Sequence, residues 1–94
     1  MIETMQFEWD AQKSETNRTQ RGFAFDEVAA VFLDDDRVTF RDERQDYGEE
    51  RWTTFGQIEG RLFAVSYTLR GNAIRIISAR KANKRERRRY DGNR

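Results

Sequence analysis

At 94 residues, with 37% charged and 13% aromatic side chains, the chain has the size of one domain and too many aromatics for a disordered one. It contains neither Cys nor His, which excludes disulfides, a thiol nucleophile, thiolate metal sites and the commonest general base. The net charge of +1 conceals a division: residues 80–94 carry eight basic and two acidic groups, whereas residues 1–79 carry ten basic and fifteen acidic ones. Such an end calls for a polyanion or an acidic protein as partner. In that basic run arginine outnumbers lysine six to two, which favours bidentate contacts to phosphate.

Met5 to Trp9 alternates as a short strand, with Phe7 and Trp9 on one side. Asp10 then suits a helix N-cap and Gly22 a C-terminal stop, although the eleven residues between them are almost wholly polar and leave such a helix little to bury. Phe25, Val28, Ala29 and Phe32 recur at helical spacing and predict an amphipathic helix over Phe25–Leu33, ended by Asp34, Asp35 and Asp36. Four strands follow: Arg37–Arg41, Arg51–Phe55, Leu62–Arg70 and Ala73–Arg80, the last two joined by the hairpin signal Gly71-Asn72. Asn83 and Glu86 stand in capping-box spacing at the start of a basic C-terminal helix. No apolar run is long enough to span a membrane and no signal peptide opens the chain, so a cytoplasmic protein is expected.

The Gly71-Asn72 turn sets a register in which Arg70 pairs with Ala73, Thr68 with Arg75, Ser66 with Ile77 and Ala64 with Ala79. These residues form a small, polar face expected to lie open. Phe63, Val65, Tyr67 and Leu69, with Ile74, Ile76 and Ser78, form an apolar face expected to meet the helices. Setting Phe55 opposite Leu62 across the Gly56–Gly60 connection adds Arg51 and Thr53 to the open face; a slip by one residue would expose Trp52 instead.

Four stretches carry a family resemblance: FEWD at 7–10, GFAFDEVAAVFLD at 22–34, DERQDYGEERW at 42–52, and YTLRGNAIRIISARKANKRERRRY at 67–90. Taken together, in this order and over residues 7–90, they resemble the BrnT toxins of type II toxin–antitoxin modules. The chain departs from the family pattern at Gln20-Arg21-Gly22, where a Lys-His-Gly element is usual, and at Ala24, where a helix-capping Ser is common; Glu27 is then expected to support the helix only through its dipole. The resemblance implies one toxin domain over residues 1–94 with a RelE-like ribonuclease fold. In the terms of the periodicities above, that is an α+β domain: N-terminal helices on an antiparallel sheet of at least four strands, and a basic C-terminal helix. It further implies RNA as substrate and inhibition by a BrnA-like antitoxin, through which operator DNA is reached.

Metal-independent RNA cleavage needs a deprotonated 2′-hydroxyl, a stabilised phosphorane and a protonated leaving oxygen, and positioned cations can carry much of the rate. The open face nominates Arg51, Thr68 and Arg75, with Arg80 at the strand end and Glu50 as a carboxylate base. Arg44, Lys81, Arg85, Arg88 and Arg89 are candidates for RNA binding, together with Tyr90, which could stack on a base or pack the basic helix down. Glu86 suits a cap better than an acid. No cofactor is expected, since the sequence holds no Gly-rich phosphate loop and no metal-ligand cluster. The alternative is a non-catalytic module that binds RNA or the antitoxin; a DNA-binding protein is disfavoured because no helix-turn-helix can be placed among these strands.

Overall fold

The computed structural model describes residues 5–92, so Arg94 of the basic run lies outside it. In chain order the elements are β1 (Gln6–Trp9), α1 (Ala11–Arg21), α2 (Phe25–Val28), a 3-10 helix (Ala29–Leu33), β2 (Val38–Arg41), β3 (Trp52–Ile58), β4 (Arg61–Arg70), β5 (Ala73–Lys81) and α3 (Lys84–Gly92). The strands form one sheet in the order β1-β5-β4-β3-β2. The expected α+β class and the C-terminal helix are present, but the sheet is mixed rather than antiparallel: β1 runs parallel to β5 on the far side of the hairpin, with Glu8 beside Arg75. Strand periodicity reports which side chains share a face, not the direction of a partner 67 residues away, and so could not give this pairing. Among the described residues, no helix is long and apolar enough to cross a membrane.

The polar helix α1 is held by its caps and by two buried polar side chains. Asp10 Oδ1 accepts from the Gln12 and Lys13 amides, and Gly22, at φ 92°, turns the chain out of the helix. Asn17 donates to the Phe23 carbonyl at 3.0 Å, and Ser14 Oγ accepts from the Phe25 amide at 2.9 Å. Ser14 thus serves α2 as the cap that Ala24 cannot be. Glu27 does more than face the dipole, because its carboxylate accepts from the Ala24 amide at 2.8 Å. Each such capping bond is worth about 1 kcal/mol.

The helix expected over Phe25–Leu33 divides after Val28 and continues as the tighter 3-10 form, a common way for helices to end. Its apolar residues still face inward: Phe25, Val28, Val31 and Phe32 are buried against Phe63, Val65, Tyr67, Ile76 and Ala79 of the sheet. The close approach of the 3-10 helix to β3 depends on Gly56, where a Cβ would stand 2.6 Å from Val31 Cβ.

Two registers differ from expectation, with opposite consequences. The β3–β4 connection is a two-residue turn at Glu59 and Gly60, both at positive φ, and it sets Phe55 opposite Ala64 instead of Leu62. A shift by two conserves the faces, so Arg51 and Thr53 remain on the side away from α1 and α2. Along the β4–β5 hairpin, Thr68 pairs with Arg75 as expected, but a bulge then shifts the ladder by one. Ser66 pairs with Ser78 and Ala64 with Arg80, where Ile77 and Ala79 were expected. An extra residue reverses the side on which every later side chain emerges. Ala79 therefore turns into the core, while Ser78 and Arg80 turn out of it.

The face expected to be open is covered at one end. Phe55, Leu62 and Ala64 form a second apolar cluster beneath Tyr90 of α3. Tyr90 is 1% exposed, and its hydroxyl donates to Asp34 Oδ2 at 2.6 Å, beside the Gln57 amide at 2.8 Å. One carboxylate thereby joins the end of the 3-10 helix, β3 and α3. Burial alone would raise the Asp34 pKa, but the hydrogen bonds from Tyr90 and from the Asp36 and Gln57 amides outweigh it and lower the value. Because the folded-state pKa is depressed, the stability this clamp supplies is complete above the ordinary carboxylate range and is lost as pH falls through the lowered value. Tyr90→Phe is expected to cost about 1.5–3 kcal/mol, the worth of a hydrogen bond to a charged group. The midpoint of thermal unfolding should fall by roughly 10 °C, with a smaller loss of stability on acidification than in the unmodified chain.

Candidate functional site

The cleft of interest exists because α3 covers only one end of its sheet face. It has a volume of about 320 Å³ and lies between the start of α3, the loop after β2 and the end of α1. Its floor is a row of small side chains across three strands: Thr53 of β3 beside Ser66 of β4, and Ser66 beside Ser78 of β5. The Thr53 and Ser66 hydroxyl oxygens stand 3.4 Å apart. The bulge completes this row, since an unbroken ladder would have put Ile77 in the place of Ser78. Bulges recur beside active sites because they re-aim side chains in this way.

Four arginines line the walls, against three carboxylates. Arg80 meets both oxygens of Glu86 at 2.8 Å, and Glu86 also accepts from the Asn83 amide while Asn83 caps the Glu86 amide. Glu86 is thus a cap and an arginine anchor; the Arg80 guanidinium lowers its pKa despite partial burial. Arg44 forms a two-point pair with Asp42 at 2.8 and 2.7 Å. These bonds, helped by Tyr47, hold Asp42 at about 2, too acidic for a general base at neutral pH. Arg41 lies 3.3 Å from Glu50 and 3.9 Å from Glu43. Arg21, from the last turn of α1, donates to the Ala79 carbonyl at 3.0 Å. Among the described residues, no three His, Cys, Asp or Glu side chains converge as a metal site would require.

The expected site residues fall into several places. Arg80 and Arg44 line the cleft; Arg51, Thr68, Arg75 and Glu50 do not. Arg75, which has no partner near it in sequence, reaches Glu8 of β1 at 3.1 Å. Arg51 lies over the Tyr47 ring, 4.0 Å from its centre, and pairs with Glu49 at 3.2 Å. Thr68 is buried and donates to the Glu50 carbonyl at 2.6 Å, fixing the loop that precedes β3. Glu50 lines a shallower depression on that loop, beside Arg41. Lys81, Arg85 and Arg88 are exposed, and Arg89 lies 4.2 Å over the Phe40 ring at the cleft margin. Of the two roles open to Tyr90, packing is the one observed, because a ring 1% exposed cannot stack on a base. Arg87 likewise serves the fold, donating to the Gln57 side chain at 2.9 Å.

Arg21, Arg41 and Ser78 were not foreseen. Ser78 was assigned to the wrong face by an unbroken register. Arg21 comes from a helix end that the resemblance marks only as a departure from the family pattern, and its contact with Ala79 spans 58 positions. Arg41 stood at the end of a predicted strand with nothing to single it out.

The family model described as "Ribonuclease toxin, BrnT, of type II toxin-antitoxin system" matches residues 9–86, which include every strand-borne residue of the cleft, Arg21 and Glu86. No curated protein matches the chain. The family match covers most of the chain and agrees with the four stretches that carry the resemblance, so the chain belongs to the BrnT family of type II toxin–antitoxin systems.

Proposed function

We propose that this protein is an endoribonuclease toxin that cleaves RNA in the hydroxyl-floored cleft by attack of the substrate's own 2′-oxygen, without a metal ion. The observation that carries this reading is the convergence of four arginines on a polar strip of sheet in a chain of a ribonuclease-toxin family. Guanidinium groups can neutralise the charge that builds on a phosphorane, and preorganised donors of this kind are commonly the largest contribution to such catalysis. Arg80 is the donor assigned to the reacting phosphate. Glu86 occupies one edge of its guanidinium and leaves further N–H groups available. Glu43 is better placed than Glu50 to accept the 2′-proton, since it lines the cleft and Glu50 does not. Arg85 and Arg88 are exposed on the helix whose start borders the cleft and suit the flanking phosphates of a single strand, with Arg75 and Arg51 farther along the same sheet face; Lys81, beside Phe63 in the ladder, emerges on the opposite side of the sheet.

As a type II toxin the protein would be silenced by an antitoxin, of the BrnA kind by family expectation, and an antitoxin covering these cations would inhibit by occupying the RNA site. RelE-like describes the arrangement expected of the fold. The test is incubation of the purified chain with single-stranded RNA in EDTA. Turnover supports the nuclease; a mobility shift with intact RNA would instead make the protein a binding module.

A further inference from the structure

We propose that Arg21 is a catalytic residue that contacts the scissile phosphate, an assignment that rests on the ribonuclease reading above. Arg80 and Arg44 each have a carboxylate bonded at two points, and Arg41 stands between Glu43 and Glu50. Arg21 is the one cleft arginine with no carboxylate partner among the described residues. An arriving phosphate must share Arg80 or Arg44 with an anion already in place. At Arg21 it meets an uncompensated charge.

Position supports the same assignment. Arg21 Nη1 donates to the carbonyl of Ala79, the residue between Ser78 and Arg80. That bond uses one of five guanidinium N–H donors and orients the rest, so less rotamer freedom is lost when an anion binds. Gly22 turns the chain away immediately afterwards, at φ 92°, which leaves Arg21 at the exposed end of α1 and at the cleft wall.

In the reaction, the 2′-oxygen forms a bond to phosphorus as its proton passes to a base. The bond from phosphorus to the 5′-oxygen then breaks, and that oxygen takes up a proton. The products are a 2′,3′-cyclic phosphate and a 5′-hydroxyl, with no change of oxidation state. Arg21 forms no covalent bond. Its N–H groups hold the non-bridging oxygens, whose charge is greatest in the pentacoordinate state, so its contribution should appear in kcat more than in KM.

The test compares the full-length protein with Arg21→Gln and Arg21→Lys in single-turnover RNA cleavage, with thermal unfolding of each. Arg21→Gln should lower the cleavage rate about 10²-fold, and Arg21→Lys, which keeps the charge, should recover part of it. Unfolding midpoints within a few degrees of the unmodified protein should accompany both. In a second measurement on the unmodified protein, titration with a nucleoside 3′-monophosphate should shift the Arg21 Nε–H resonance. Cleavage by Arg21→Gln within threefold of the unmodified rate would overturn the assignment, as would an Arg21 resonance unmoved at saturation. If the unmodified protein cleaves no RNA, it is the ribonuclease reading that fails, and the titration still decides whether Arg21 binds a phosphate.

Discussion

Arg80→Gln is expected to lower RNA cleavage about 10³-fold, the upper end of what loss of one preorganised donor causes. Two effects combine. The substitution removes a guanidinium from the cleft wall, and it leaves the Glu86 carboxylate, which Arg80 had neutralised from 2.8 Å, facing the approaching phosphate. The change in formal charge is one unit, as at Arg21, but here it leaves an uncompensated carboxylate at the cleft wall. Glu86 would keep its reciprocal bonds with Asn83, so α3 should still begin where it does. The second substitution of a double variant, Arg80→Gln with Glu86→Gln, should restore part of the lost rate by removing the unmasked charge, while the amide can still accept from the Asn83 N–H. Equal rates for the single and double variants, with both proteins folded, would show that the unmasked Glu86 carboxylate adds nothing to the loss, and an Arg80→Gln rate within threefold of the unmodified protein would contradict the role of Arg80.

Gly56→Ala is expected to destabilise the fold by about 2–3 kcal/mol, at the upper end for one added methyl, because the clash involves backbone as well as side chain. The new Cβ would lie 2.6 Å from Val31 Cβ and 2.9 Å from the Val31 carbonyl oxygen. The 3-10 helix would have to lift away from β3, disturbing the packing of Val31 and of Phe32 against Tyr67. For a chain of this length the unfolding midpoint should fall by roughly 10–20 °C. Gly92→Ala is a suitable control, since nothing lies within 4 Å of its added Cβ. A midpoint for Gly56→Ala within 3 °C of the unmodified protein would contradict the packing described at Val31.

Much of the architecture is legible along the chain because local signals and tertiary needs agree. Asp10 and Gly22 bound α1 as their chemistry requires, and Asn83 with Glu86 opens α3. The Gly71-Asn72 turn gives the first pairs of the β4–β5 hairpin. What the chain conceals is the bulge at Ile77, opposite the step from Ser66 to Tyr67. Ile77 is a good strand residue, and nothing about it says that it has no opposite number on β4. That one unpaired position decides whether Ser78 and Arg80 face the core or the cleft, so the sequence could nominate Arg80 and Arg44 but not set Ser78 beside Ser66, and it grouped Arg51, Thr68 and Arg75 farther along the same face. Partners distant in sequence were equally hidden. Glu8, the partner of Arg75, is 67 positions away, and Asp34, which decides between the two roles open to Tyr90, is 56 away. The family resemblance identified the class of protein but carried no information about these contacts.

Cleavage of RNA by its own 2′-hydroxyl in an arginine-lined cleft without a metal ion is tested most directly by the chemistry of the product ends. A single-stranded RNA digested by the purified protein in EDTA should yield upstream fragments ending in a 2′,3′-cyclic phosphate and downstream fragments beginning with a 5′-hydroxyl. An oligonucleotide with 2′-deoxyribose at the cleaved position should stay intact at that linkage. Cleavage that requires Mg²⁺ and leaves a 5′-phosphate and a 3′-hydroxyl would contradict the account, since a water bound to a metal would then be the nucleophile.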